Sequence, residues 1–173
     1  MELKSVHYRN KTGRWKQGGP VVEAVNRKLS RTIYETKYVF EMDGRIYKLI
    51  VPAGYVFDGA SIPWIAWSLL RLSPHGIMDG PSLPHDFIYE HQGKMPEGSF
   101  FIQSAKDKGE WWACSVPITR SQSDALLKSA VTFYDAAEGR RAMEIWLAVR
   151  AFGWWAWRRN DTQRKTKKIK ETT

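Results

Sequence analysis

The chain of 173 residues is long enough to bury one core of ordinary size, and 43% hydrophobic with 26% charged residues is typical of a globular protein. Its single cysteine, Cys114, excludes an intramolecular disulfide and a cysteine-rich metal site. The N-terminal residues lack the apolar stretch of a signal peptide, and no run of about eighteen apolar residues occurs. We therefore expect synthesis in the cytoplasm and no transmembrane helix.

The first part of the chain predicts an irregular arm followed by a β-hairpin. Residues 1–30 contain several glycines and show little periodicity, which favours a loop-rich arm with at most one short strand. Apolar and polar residues then alternate from Thr32 to Met42, and a second β-rich run follows at 45–51. Asp43-Gly44 joins the two runs, and this pair suits a tight hairpin turn because both residues tolerate positive φ.

The middle of the chain predicts an ordered loop and two short helices. Residues 52–63 are rich in glycine and proline but keep apolar side chains, which indicates a tight loop. A short buried helix is expected at 65–72. A second helix is predicted from Pro84 to His91, with Pro84 at its first position and its end at Gly93.

The remainder predicts a second hairpin and two longer helices. Residues 93–119 form an insertion with two aromatic runs around a charged turn, as in a hairpin. The capping-box spacing of Thr119–Gln122 predicts a helix through Ala137. A last helix should run over 140–157 and break down near Gly153. The fold class is therefore α+β, with antiparallel hairpins packed on three to four helices in a single domain spanning 31–157.

The positive charge is concentrated at the C-terminus. Seven basic and two acidic residues in 158–173 supply +5 of the formal net charge of +9, with few apolar residues among them. This composition predicts a disordered basic tail. Two interpretations stay open: the tail binds an anionic surface, such as a membrane or nucleic acid, or it only keeps the protein soluble.

One short segment carries the types of residue that hydrolysis requires. His85 and Tyr89 are four residues apart and share a helix face, whereas Asp86 points about a quarter-turn away. If the helix that contains Asp124 lies alongside, its carboxylate can accept a hydrogen bond from His85, fix the tautomer and raise the basicity. Tyr89 can bond the same carboxylate. A helix cap or a buried, satisfied pair explains the same residues without catalysis, and both interpretations stay open.

Four motifs, in order, resemble a phage and prophage family, the domain of unknown function 1353. They are Pro-Ala-Gly-Tyr-Val-Phe-Asp-Gly-Ala-Ser-Ile-Pro at 52–63, His-Asp-x-x-Tyr at 85–89, Ser-Asp at 123–124, and Ala-Val-Arg-x-Phe-Gly at 148–153. The chain departs from the family at Phe57, where threonine is usual, and in the segment 93–119, which is longer than typical.

A weaker likeness connects the same residues with secreted and viral phospholipase A₂ enzymes. This resemblance implies that His85 activates water, that Asp86 binds calcium with loop carbonyls, and that Asp124 and Tyr89 brace the histidine. Asp58 would add a carboxylate to the metal, although it also suits a turn in which it satisfies backbone donors. The single cysteine departs from that enzyme class, which usually depends on disulfides.

Three functions follow as hypotheses. The first is a phage hydrolase of ester or amide bonds, calcium-dependent or not, that acts on the host envelope during entry or lysis. The second is a non-catalytic virion component, made in the host cytoplasm, that docks on capsid, neck or tail proteins through the insertion 93–119 and the tail 158–173. The third is a nucleic-acid-binding accessory protein, which the confinement of the charge to the tail disfavours.

Overall fold

A computed structural model describes residues 1–25, 29–57, 78–104, 109–134 and 139–172. The strands are β1 (Glu2–Arg9), β2 (Trp15–Gln17), β3 (Val22–Ala24), β4 (Ser30–Thr32), β5 (Thr36–Met42), β6 (Arg45–Val51), β7 (Val56–Phe57), β8 (Phe100–Gln103) and β9 (Trp111–Ala113). The helices are α1 (Asp79–Glu90), α2 (Arg120–Tyr134) and α3 (Gly139–Thr172). The helix predicted at 65–72 lies outside the described residues.

Two antiparallel sheets and the helices form a single α+β domain, which confirms the predicted fold class. The larger sheet has six strands in the order β2-β1-β5-β6-β8-β9, and the smaller has the order β3-β4-β7. Side chains from the inner face of the larger sheet share one core with α1 and α2. A second core lies between α1, α2 and α3. The helices α1 and α2 are therefore buried on both sides, by the sheet and by α3.

The hairpin β5–β6 is confirmed at the centre of the larger sheet. Its turn residues Asp43 and Gly44 have φ of 52° and 72°, and Met42 pairs with Arg45 across them. Alternate side chains along both strands, among them Tyr38 and Leu49, are fully buried. The alternation of apolar and polar residues in the sequence therefore arises because one face of the sheet packs on the core.

The prediction of a loop-rich arm for residues 1–30 is wrong, because β1 is an eight-residue strand between β2 and β5. The register with β5 shifts between Leu3 and Ser5, as at a β-bulge. The buried residues Leu3 and Val6 are consequently three positions apart instead of two. This break in the alternation hid the strand from a search for period-two patterns.

Helix α1 begins at Asp79, so Pro84 is an interior residue of the helix and not its first position. A proline inside a helix leaves the carbonyl four residues earlier without its usual N–H partner. That carbonyl belongs to Gly80, and the hydroxyl of Tyr38 on β5 donates to it at 3.0 Å. The sheet therefore supplies the hydrogen bond that Pro84 removes.

The predicted end of α1 at Gly93 is confirmed within the turn that follows the helix. Gln92 and Gly93 both have positive φ, and the Gly93 N–H donates to the carbonyl of Ile88 at 3.0 Å. A Cβ on Gly93 would lie 1.7 Å from the carbonyl oxygen of Ile118. Only glycine fits this close approach of two backbone segments.

The insertion contains the predicted hairpin. Strands β8 and β9 pair antiparallel, and β8 also pairs with β6, so the hairpin extends the larger sheet.

The predicted capping box starts α2: the Thr119 N–H donates to Oε1 of Gln122 at 2.9 Å, and the Gln122 N–H donates to Oγ1 of Thr119 at 3.2 Å. Both predictions in this part of the chain are confirmed.

The predicted end of the last helix near Gly153 and Trp157 is wrong, since α3 continues to Thr172 and includes most of the segment expected to be disordered. Gly153 is buried in the helix against Tyr89, where a Cβ would lie 2.7 Å from the Tyr89 hydroxyl oxygen. Its role is close packing rather than termination. Beyond Trp157 the arginine, lysine and glutamine residues all have high helix propensity. None of the helices in the described parts of the chain combines the length and the hydropathy that a membrane span requires.

Candidate active site

Helices α1 and α2 place three of the predicted site residues in direct contact. The Nε2 atom of His85 lies 3.2 Å from Oδ1 of Asp124, and the Tyr89 hydroxyl donates a hydrogen bond to the same oxygen. An ionised carboxylate can only accept, so Nε2 carries the proton of this bond. His85 and Tyr89 also pack ring against ring, with centroids 4.0 Å apart. The carboxylate of Asp124 therefore fixes both the tautomer and the orientation of His85.

The second oxygen of Asp124 binds two arginines. Nη1 of Arg150 on α3 donates to Oδ2 at 3.0 Å, and Nε of Arg120 on α2 lies 3.6 Å from the same oxygen. Arg120 also donates from Nη2 to the backbone carbonyl of Arg150 at 2.9 Å. The carboxylate is fully buried, whereas the two arginines reach the surface. The arginines therefore compensate a charge that would otherwise be costly to bury.

The other ring nitrogen of His85 faces Asp86. Nδ1 lies 3.5 Å from Oδ1 of Asp86, at the outer limit of a hydrogen bond. The exposed fraction is 0% for His85 and 5% for Asp86. His85 is thus placed between two carboxylates, with the shorter contact to Asp124, and its ring is sealed from solvent in this conformation.

This environment changes the pKa of both partners in opposite directions. Burial alone lowers the pKa of His85, but the hydrogen bonds with Asp124 and Asp86 outweigh it and raise the pKa above 6.5. Burial raises the pKa of Asp124, but its bonds with His85, Tyr89 and Arg150 outweigh that effect and lower the pKa below 3.8. Both directions favour the charged forms of the two groups, the imidazolium and the carboxylate, over the neutral forms.

Helix α3 closes the site on the side of Tyr89. The buried Gly153 lies against the Tyr89 ring, and Trp157 packs edge-on to it with centroids 4.9 Å apart. The backbone carbonyl of Trp157 accepts a hydrogen bond from Nε2 of Gln92 at 2.8 Å, which ties α3 to the end of α1. Tyr89 itself is fully buried, and its pKa is raised by burial and by its bond to Asp124.

Asp86 is one of the two predicted calcium ligands, and it lies beside His85. Calcium takes six to eight oxygen ligands at about 2.3–2.6 Å. Within the described parts of the chain, no group of three or more His, Cys, Asp or Glu side chains could hold a metal ion. Asp58, the second predicted metal ligand, lies outside the described residues. Metal binding by Asp86 and Asp58 therefore stays a prediction.

The sequence predicted that His85 and Tyr89 contact Asp124, but it did not predict the two arginines. Arg150 belongs to the Ala-Val-Arg-x-Phe-Gly motif, which by itself does not show what the charge of the arginine contacts. A predicted buried carboxylate at Asp124 would have indicated the arginines, because a buried anion requires a compensating cation. Arg120, four residues before Asp124 on α2, could have been found from that helical spacing.

Comparison with models of known protein families shows to which family this chain belongs. The family model described as "Protein of unknown function (DUF1353)" matches residues 34–149. The chain belongs to this family. The match includes β5, the β5–β6 hairpin, α1 and all of α2, so His85, Tyr89 and Asp124 lie inside the family domain, whereas Arg150 is the first residue beyond it. No curated protein and no solved structure matches the chain significantly.

Proposed function

We propose that this chain is a phage-encoded hydrolase of ester or amide bonds that acts on the host envelope, with His85 as the general base. The observation that carries the proposal is the contact between Nε2 of His85 and the buried Asp124 carboxylate. It leaves Nδ1, which lies 3.5 Å from Oδ1 of Asp86, as the nitrogen whose lone pair, in the neutral ring, takes a proton from water once water replaces that contact. The resemblance to the phage and prophage motifs supports the part of the proposal that makes the chain a phage protein.

In the proposed step, Nδ1 of neutral His85 accepts a proton from a water molecule while the water oxygen attacks the carbonyl carbon of the substrate. The imidazolium that forms is stabilised by Asp124 through Nε2, and it then returns the proton to the leaving alcohol or amine. Tyr89 and Arg150 hold Asp124 and do not touch the reacting atoms. They are positioning residues in this scheme.

The burial of His85 sets a requirement on this mechanism. The ring is fully enclosed, so water and substrate reach Nδ1 only when the packing beside α1 opens. We expect activity to depend on an organised substrate, such as a lipid assembly or a cell-wall polymer, whose binding supplies the free energy for that opening.

The test is an assay of the wild type, His85→Gln and His91→Gln on a soluble ester, phospholipid vesicles and peptidoglycan, with calcium present throughout. His91 follows the end of α1 and bonds the Phe87 carbonyl through Nδ1 at 2.9 Å, so its variant controls for loss of a histidine at the same helix. We expect His85→Gln to lower the rate at least about 10²-fold and His91→Gln to keep it. Equal rates in all three proteins, or none in any, would refute the proposal.

The same burial supports a second candidate function, a non-catalytic component that binds other virion proteins. In this role the His85–Asp124 pair only joins the helices. The exposed aromatic side of the insertion favours it: Trp112 on β9 is 58% exposed and lines a cavity of about 570 Å³ together with Arg45 and Ile102. Loss of binding to purified virion proteins in Trp112→Ala, with wild-type hydrolysis absent, would support this alternative.

A further inference from the structure

Helix α3 carries a stripe of apolar side chains on the face that points away from the core. Met143, Leu147, Ala151 and Trp154 are exposed and recur at spacings of four, four and three residues, which places them on one face of a helix. Leu147 is 54% exposed and Trp154 is 49% exposed. Because the helix is already anchored, this stripe is not required for packing within the domain.

The opposite face of α3 is the one that the fold uses. Ala142, Ile145, Val149 and Ala156 on that face are buried in the core shared with α1 and α2. The same helix therefore has two apolar faces, one against the domain and one toward solvent. Single exposed apolar residues are common on protein surfaces, whereas a continuous stripe of them indicates a binding surface.

The stripe leads directly into the most basic part of the chain. Arg158 follows Trp154 by one turn and lies over its ring, with the guanidinium carbon 5.3 Å from the centroid. Residues 159–173 then add six basic and two acidic residues, and α3 continues as a helix to Thr172. An apolar stripe with aromatic residues thus adjoins a cationic segment on one continuous helix.

We propose that α3 lies on an anionic lipid bilayer, with the Met143–Trp154 stripe inserted at the level of the headgroups and with the net positive charge of the sequence after it attracted by the charged surface. Helices of this kind bind in the plane of the interface by burying an apolar face and by attracting acidic lipids. Tryptophan is enriched at that depth because one end of its ring is apolar and the other forms hydrogen bonds.

Charge and side-chain chemistry favour the bilayer over other occupants. A second copy in parallel would bring two segments of net positive charge together, which opposes that dimer. A nucleic acid would satisfy the cations but would gain little from aliphatic side chains such as Met143 and Leu147. An anionic bilayer offers an apolar interior to the stripe and negative charge to the basic segment. The proposal is independent of catalysis at His85.

The experiment is vesicle flotation with the full chain. Vesicles of phosphatidylcholine alone are compared with vesicles containing about one-third phosphatidylglycerol, which supplies the anionic surface. The apolar variant is Leu147→Gln with Trp154→Gln, since glutamine keeps helix propensity. The charge variant is Lys165→Glu with Lys168→Glu. Val25→Gln is the matched control, because Val25 is 47% exposed, comparable with the stripe, but follows β3. Circular dichroism and urea midpoints verify that each variant is folded.

We expect the wild type and Val25→Gln to float with anionic vesicles and to bind neutral vesicles much more weakly. The apolar variant should lose at least about tenfold in partition coefficient, and the charge variant more than about tenfold. Failure of the wild type to bind anionic vesicles would overturn the proposal. Equal binding to both kinds of vesicle, or undiminished binding by the apolar variant, would also overturn it. Concentration-dependent dimerisation, or tight single-stranded DNA binding without vesicle binding, would assign the surface to those partners instead.

Discussion

The carboxylate of Asp124 receives polar groups from three helices: His85 and Tyr89 on α1, Arg120 on its own helix, and Arg150 on α3. Each of its oxygens has two partners, and the residue is fully buried. Asp124 therefore orients the proposed base and also joins the helices. Both roles depend on one charge, which can be removed without changing the size of the side chain.

Asp124→Asn should lower the free energy of unfolding by about 3–5 kcal/mol, since it leaves buried cationic and donor groups without their anion. Urea denaturation monitored by circular dichroism measures the change. Asp43→Asn is the matched control, because Asp43 lies in the exposed β5–β6 turn with positive φ, a conformation that asparagine tolerates. Its change should stay within about 0.5 kcal/mol. A similarly small change in Asp124→Asn would show that the network contributes little.

Gly153→Ala provides a second residue-scale prediction. Alanine favours a helix over glycine by about 1 kcal/mol, yet the new Cβ would lie 2.7 Å from the hydroxyl oxygen of the buried Tyr89. We expect net destabilisation because Tyr89 is held by Asp124 and cannot move away freely. Gly109→Ala, where a Cβ meets nothing within 4 Å, should be tolerated. A higher urea midpoint for Gly153→Ala would contradict the proposed packing of α3 on Tyr89.

Among the elements, α1 depends on a hydrogen bond from the sheet. The Tyr38 hydroxyl is the donor to the Gly80 carbonyl that Pro84 leaves without an N–H. Tyr38→Phe should therefore cost about 1–3 kcal/mol, the usual penalty for an unsatisfied buried acceptor.

A double-mutant cycle tests whether Pro84 is the cause. Pro84→Ala restores a main-chain N–H at position 84, so Tyr38→Phe should cost less in that background than in the wild type. Urea denaturation of the four proteins gives the coupling free energy. Equal costs in the two backgrounds would mean that Gly80 finds its partner elsewhere.

The same elements show where sequence reasoning succeeds and where it fails. The β5–β6 turn and the Thr119–Gln122 capping box were predictable because they depend on neighbouring residues alone. The start of α1 was not, since Pro84 is tolerated inside the helix only through Tyr38, which is distant in the sequence. The continuation of α3 through Gly153 likewise depends on Tyr89. The His85–Asp124–Tyr89 contact was predictable from the motif residues, whereas the supporting Arg150 required knowledge of which helices meet.

For the whole molecule, the His85–Asp124 pair should make stability depend on pH in two regions. Because the pKa of His85 is raised, its contribution to the free energy of unfolding is complete below 6.5 and is lost as pH rises through the folded-state pKa. Because the pKa of Asp124 is lowered, its contribution is present above 3.8 and is lost as pH falls through its folded-state value.

Urea denaturation across this range should therefore show a loss of stability at both ends for the wild type. In His85→Gln the loss of stability above pH 6.5 should be absent, because the titrating imidazole is removed. In Asp124→Asn both losses of stability should be weaker, because the variant lacks the titrating carboxylate and also the anion that raises the pKa of His85. Identical pH profiles in the three proteins would exclude the pair as the source of the dependence.

The central claim is that Asp124 orients His85 as a base, and the rate of hydrolysis against pH, for the wild type and Asp124→Asn, tests it most directly. Only neutral His85 can accept a proton, so the wild-type rate should rise with pH through the raised pKa of His85. In Asp124→Asn, at a temperature where circular dichroism shows it folded, the rate should fall by about 10³–10⁴ because the tautomer is no longer fixed. The residual rate of Asp124→Asn should still increase with pH, but over a lower pH range than in the wild type, because the Asp124 carboxylate no longer raises the pKa of His85. Equal rates and coincident profiles in the two proteins would contradict the account.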